Sequence, residues 1–111
     1  FSLELAKEFT SNNEDLAFEL FDMLRGEFDG YKSGIADAVR DGDMVELRAQ
    51  VHKLHGASRC CGTSELKEVS NRVENLIVQN VEFDIDKEIS ELLTAIQRIE
   101  EFDIEQVKKA G

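Results

Sequence analysis

The chain has 111 residues, with 24 Asp and Glu against 13 Lys and Arg, a formal net charge of −11, and 41% hydrophobic and 33% charged residues. That describes one soluble domain with a modest core. It lacks the ~20 unbroken apolar residues of a membrane span, and its acidic excess excludes broad binding to nucleic acid or anionic membranes.

With no proline in the chain and apolar residues at three-four spacing, the whole sequence reads as helical. A first short helix covers about Ser2 to Phe9, capped by Ser2, with Leu3, Leu5, Ala6 and Phe9 on its apolar side. Asn12 and Asn13 followed by Glu14 and Asp15 mark the next start, a capping amide and then carboxylates that suit the helix dipole. Leu16, Leu20, Leu24, Phe28, Tyr31, Ile35 and Val39 then form a seam long enough for one helix or two joined at a bend. Gly26, Gly30 and Gly34 project mostly away from that seam; such a row either lets another helix approach closely or weakens or kinks an exposed face, the second being the preferred reading. At Asp41-Gly42-Asp43, Gly42 ends one helix and Asp43 caps another, whose seam is Met44, Leu47, Val51, Leu54, Ser58 and Cys61.

Gly62-Thr63-Ser64 separates that helix from a fourth, carrying Leu66, Val69, Val73, Leu76 and Ile77 inward. After a loop over Asn80 to Asp84, a last helix reaches about Phe102 with Ile85, Ile89, Leu92, Leu93, Ile96 and Ile99 as its stripe. The tail from Asp103 extends or frays it. Short connections favour antiparallel neighbours, so the predicted fold is all-α: an antiparallel up-and-down four-helix bundle with a short additional N-terminal helix.

Function concentrates in one stretch. Residues 48–64 hold Arg48, Lys53 and Arg59, both histidines and no carboxylate, although Asp and Glu make up over a fifth of the chain. Such a reversal of sign suits a negative partner. Taking about 100° per residue, His52 points roughly 130° away from the seam and is exposed. Arg48, His55, Gly56 and Arg59 project within about 60° of it, whereas Lys53 and Cys60 turn to another side.

A neutral imidazole nitrogen is nucleophilic near neutral pH, and neighbouring cations stabilise a phosphate placed on it. His52 is therefore the candidate phosphoryl acceptor and donor, His55 the support for the phosphate charge, and Gly56 the gap that lets a bulky partner approach. Ala57 continues the small-residue surface, and Arg48, Lys53 and Arg59 rim it as partner contacts. The second helix near Phe21 to Phe28 is predicted to border it.

A metal site is the sharpest rival. Two histidines three apart on one helix supply two ligands at most, and Arg48 and Arg59 would repel the ion, so no metal is predicted. Adjacent Cys60 and Cys61 close only a strained ring, make a poor redox pair, cannot staple a loop, and fit a cytoplasmic location. No nucleotide-binding loop or Ser-His-Asp set is visible.

The string Val51-His52-Lys53-Leu54-His55-Gly56-Ala57-Ser58 resembles the motif of histidine-containing phosphotransfer (HPt) domains. His52 matches the phosphorylated histidine, Leu54 the hydrophobic position and Gly56 the glycine, while His55 stands where Lys is commoner. Continued by Cys61-Gly62 and the Leu66 helix, the string looks most like the C-terminal HPt domain of BarA/GacS-type hybrid sensor histidine kinases. The resemblance implies a carrier in a bacterial two-component phosphorelay, without ATP chemistry or a cofactor of its own. It would accept a phosphoryl group from a receiver-domain aspartate of a hybrid kinase and pass it to a response-regulator aspartate, with Mg²⁺ held by the receivers. Residues 1–111 would then be one HPt-like domain excised from a hybrid sensor kinase, a parent possibly anchored in the inner membrane. The domain itself would be cytoplasmic, a monomer in isolation, and without nucleic-acid or direct membrane contact. The alternatives are a chemotaxis-kinase-type HPt domain, and a noncatalytic helical interaction module whose basic patch binds an acidic partner.

Overall fold

Polar side chains placed to take the first free backbone N–H groups set most helix starts. In a computed structural model that describes residues 2–59 and 63–102, Ser2 Oγ accepts from the Leu5 N–H and opens α1, Leu3–Phe9. Asn13 Oδ1 accepts from the Leu16 N–H at 3.0 Å and opens α2, Glu14–Asp41. Asp43 Oδ1 does the same for Glu46 in α3, Met44–Arg59, and Asp84 Oδ1 for Lys87 in α5, Ile85–Glu100.

The fourth helix, α4 (Ser64–Val78), has no such side-chain cap. Thr63 is buried and turns its hydroxyl the other way, donating to the Ser58 carbonyl at 2.8 Å, so the end of α3 is tied to the start of α4. Gly42 at φ 66° closes α2 in the left-handed region that favours glycine, and its N–H caps the carbonyls of Ala38 and Val39.

Cross-helix contacts give the directions. Gln50 of α3 lies against Gly34 of α2, and Lys53 opens beside Gly26 and Gly30. His52 meets Glu74 across α3 and α4, and Arg98 meets Glu65 while Arg72 meets Glu88 across α4 and α5. In each pair one helix rises in number as the other falls. Near the start of α2 the Phe21 ring meets Phe102 edge-on at 6.0 Å, and Arg25 bonds the Glu100 carbonyl, closing α5 against α2. The result is the antiparallel four-helix bundle predicted, with α1 packed on α2. α2 is one continuous helix of 28 residues, about 42 Å at 1.5 Å per residue, and so spans the 45 Å long axis.

Phe21, Phe28, Ile35, Leu47, Val51, Leu54, Leu66, Val73, Leu92 and Ile96 fill the core. The predicted seams need rotation in places. In the first turns of α2, Ala17, Phe18 and Phe21 face inward, leaving Leu16 exposed and Leu20 at the rim. There α2 packs against α1 and the end of α5, so its buried face is set by two neighbours rather than one. In α5 the small Ala95 is buried and Leu93 is exposed. In α1 Ala6 is fully buried while Leu5 is exposed, and Met44 is exposed at the first turn of α3. α5 ends at Glu100, two residues short of Phe102. Cys60, Cys61, the side chain of Phe9 and the tail from Asp103 lie outside the described residues. Among the described residues no helix is long and apolar enough to cross a membrane.

Candidate functional site

The alternation of buried and open positions along α3 places the site. Val51, Leu54 and Ser58 face the core, which turns His52 outward with 72% of its side chain exposed. Its Nδ1 lies 2.6 Å from Oε2 of Glu74, a residue of α4 whose own side chain is only 14% exposed. A carboxylate only accepts, so Nδ1 carries the hydrogen and donates it, and in the neutral ring this leaves the lone pair on Nε2. Nε2 makes no hydrogen bond among the described residues. The ring is thus held at one nitrogen and open at the other.

His55 follows one turn later and is partly buried. Burial is the main cause that pushes its titration below the usual imidazole range. Glu74 acts in the opposite sense, and Arg59, Lys67 and His52 add to the lowering. Gly56, one further residue on, is exposed, and a Cβ built there would meet nothing within 4 Å. The approach to His52 from that side is bare backbone.

The remaining predicted residues divide over three sides of α3. Arg48 shares a shallow depression with Val45, Ala49 and His52. Lys53 faces α2, where it lines a groove with Gly26, Gly30, Tyr31 and Gln50. The second helix borders only this Lys53 side, through its glycines, since Phe21 and Phe28 are fully buried; the element that meets His52 is α4. Arg59 lies at the other end, in a depression shared with Thr63, Ser64 and Lys67 of the α4 start and with Leu5 of α1. Ala57 is only partly open, since it packs against the core.

Cations without a carboxylate partner lie near the histidines, as they do at Lys7, Arg25 and Lys87 elsewhere among the described residues. Lys32, Arg40, Arg72 and Arg98 all make ion pairs. Arg48, Lys53, Arg59 and Lys67 make none among the described residues. In a chain of net charge −11, Arg48 lies beside His52 and Arg59 and Lys67 act on His55, while Lys53 turns toward α2.

Sequence reasoning missed Glu74 and Lys67. Both belong to α4, and the acid-free stretch of sequence acquires its carboxylate only when α4 folds back. A signal was available: residues equidistant from Thr63 face each other across the α3–α4 hairpin, and His52 and Glu74 are each eleven positions from it.

Comparison with known proteins bears on the family and the fold. The family model described as "Hpt domain" matches residues 19–102. The chain is 34% identical over 86 residues to "Sensor protein GacS" of Pseudomonas syringae pv. syringae, covering 78% of this chain and 9% of that protein. It is 37% identical over 65 residues to "Sensor histidine kinase GacS" of Pseudomonas protegens, covering 59% and 7%. The chain therefore spans less than a tenth of the length of these curated relatives. The crystal structure of the HPT domain from a sensor hybrid histidine kinase of Shewanella superposes with a TM-score of 0.83 at 25% identity, over 99% of this chain and 92% of that one.

Proposed function

The chain belongs to the Hpt domain family, and on that premise we propose that His52 is the residue that carries its phosphoryl group. Hpt domains of hybrid kinases work with receiver domains in phosphorelays, by histidine phosphotransfer. In the reading proposed here, a receiver of a hybrid sensor kinase brings its aspartyl phosphate over α3. The lone pair of His52 Nε2 attacks phosphorus as the P–O bond to the aspartate breaks, and the carboxylate leaves. The ring keeps its Nδ1 hydrogen and becomes cationic, a charge that Glu74 meets through the hydrogen bond already in place. A response-regulator aspartate later reverses the step.

The observation that carries this reading is the state of His52: largely exposed, tethered at Nδ1 by Glu74, and open at Nε2. Gly56 keeps the approach clear, with Ala57 beside it, and His55 supports the phosphate charge. Arg48, Lys53 and Arg59 contact the acidic phosphorylation site of the receiver. The chain is read as one domain of a larger hybrid sensor kinase, acting in the cytoplasm as a monomeric carrier with no cofactor.

Incubation with a phosphorylated receiver should label the chain with acid-labile, base-stable phosphate. Replacing His52→Gln should abolish the label and leave helicity unchanged. Label that persists in this variant would overturn the assignment.

A further inference from the structure

His52 and His55 stand three residues apart on one face of α3, which brings their Cβ atoms to roughly 5–6 Å. Glu74 of α4 serves both: it accepts the His52 Nδ1 hydrogen at 2.6 Å and lies close enough to act on the charge of His55. The charged and titratable groups that face His55 are His52 and Arg59 on its own helix and Glu74 and Lys67 on α4. His55 is the group in this set whose charge can follow that of its neighbour.

Resting on the reading of His52 as acceptor, we propose that arrival of the phosphoryl group draws one proton from solvent onto His55, so that the phosphotransfer equilibrium of this domain is coupled to pH. The charge balance requires a response. A neutral His52 ring and an aspartyl phosphate of charge −2 become a free carboxylate of −1 and a phosphorylated ring of net −1, with the phosphoryl at −2 and the imidazolium at +1. One unit of negative charge has then arrived a single turn from His55. At rest, partial burial and the nearby cations favour the neutral form of His55, with Glu74 opposing them. After transfer the added negative charge favours the imidazolium, which can donate to a phosphoryl oxygen. The proton comes from water or buffer, and it returns there when the group moves on.

The direction follows by linkage. Lower pH favours the phosphorylated domain, by up to about tenfold in the equilibrium constant per pH unit while one proton is coupled. Above the window in which the resting and phosphorylated forms differ in protonation, the dependence disappears.

The test uses the 111-residue chain phosphorylated with phosphoramidate, which needs no partner protein, and the phosphate is mapped by mass spectrometry. The ring resonances of both histidines are followed by NMR from pH 6 to 8.5 before and after phosphorylation. The His55 midpoint should move upward on phosphorylation of His52. In a parallel equilibrium with a phosphorylated receiver, lowering pH from 8 to 6 should shift phosphate toward the native chain relative to the His55→Lys variant, whose cation is fixed. This ratio removes the receiver's own pH dependence. An unchanged or lower His55 midpoint, or a ratio constant with pH, overturns the coupling while leaving His52 as acceptor. Phosphate mapped to a residue other than His52, or no phosphate at all, overturns the acceptor assignment and the coupling with it.

Discussion

Removing the Glu74 carboxylate should slow transfer without unfolding the bundle. In Glu74→Ala the His52 Nδ1 hydrogen loses its acceptor, the bond seen at 2.6 Å. A hydrogen bond to a charged group contributes roughly 1.5–3 kcal/mol, but His52 is 72% exposed, so competing water reduces this to about 1–1.5 kcal/mol. The part that strengthens as the ring becomes cationic lowers the barrier, and its loss corresponds to transfer slower by at most about five- to tenfold, at about 1.4 kcal/mol per decade. Glu74→Gln keeps an acceptor oxygen and loses the countercharge, so it should fall between the native and Ala rates. The assay is single-turnover transfer from a phosphorylated receiver, paired with ¹⁵N NMR of the His52 ring. The Ala variant should lose its fixed Nδ1–H tautomer and keep its helicity, with an unfolding midpoint no more than about 4–6 °C below native, the shift that a loss of about 1–1.5 kcal/mol gives a domain of this size. A Glu74→Ala chain that transfers at the native rate with an unchanged tautomer would refute the role assigned to this carboxylate.

Open space beyond Gly56 means that Gly56→Phe should fold normally yet transfer at least about tenfold more slowly from a receiver. Its labelling by phosphoramidate should be much less affected, because that donor needs no docking surface; equal losses from both donors would contradict a steric role. Gly26→Ala and Gly30→Ala, also with nothing within 4 Å of the new Cβ, should each stabilise the domain by about 0.5–1 kcal/mol in urea unfolding through helix propensity alone. Gly34→Ala should gain less or lose, since its Cβ would lie 2.8 Å from the Gln50 side chain, which must swing aside. Partial burial of His55 lowers its titration in the folded chain, so the unfolded chain takes up that proton first. Stability should be full above the ordinary imidazole value of about 6.5 and decline as pH falls from there toward the lower folded value. Urea titrations of the native chain and His55→Gln at several pH values should show this slope reduced in the variant.

Helix starts were legible because capping is local. Ser2, Asn13 and Asp43 each take an N–H three residues on, and no distant contact is needed to read them. The outward turn of His52 was legible too, since Val51 and Leu54 fix the inward direction of α3 within the same two turns. The first turns of α2 were harder to read, because burial of Ala17 and Phe18 in place of Leu16 depends on which neighbours pack there. Glu74 escaped for a related reason. Its contact with His52 is a matter of register between two helices, and sequence patterning ranks faces within one helix without aligning it to another. The same holds for Lys67, whose influence on His55 crosses the α3–α4 interface.

The most direct test of His52 as the carrier is to locate the phosphate on the ring itself. After transfer from a phosphorylated receiver, ³¹P and ¹⁵N NMR of the chain should place phosphorus on Nε2 of His52 with hydrogen retained at Nδ1, the nitrogen facing Glu74. Phosphorus bonded to Nδ1, or to any side chain other than His52, would contradict the account.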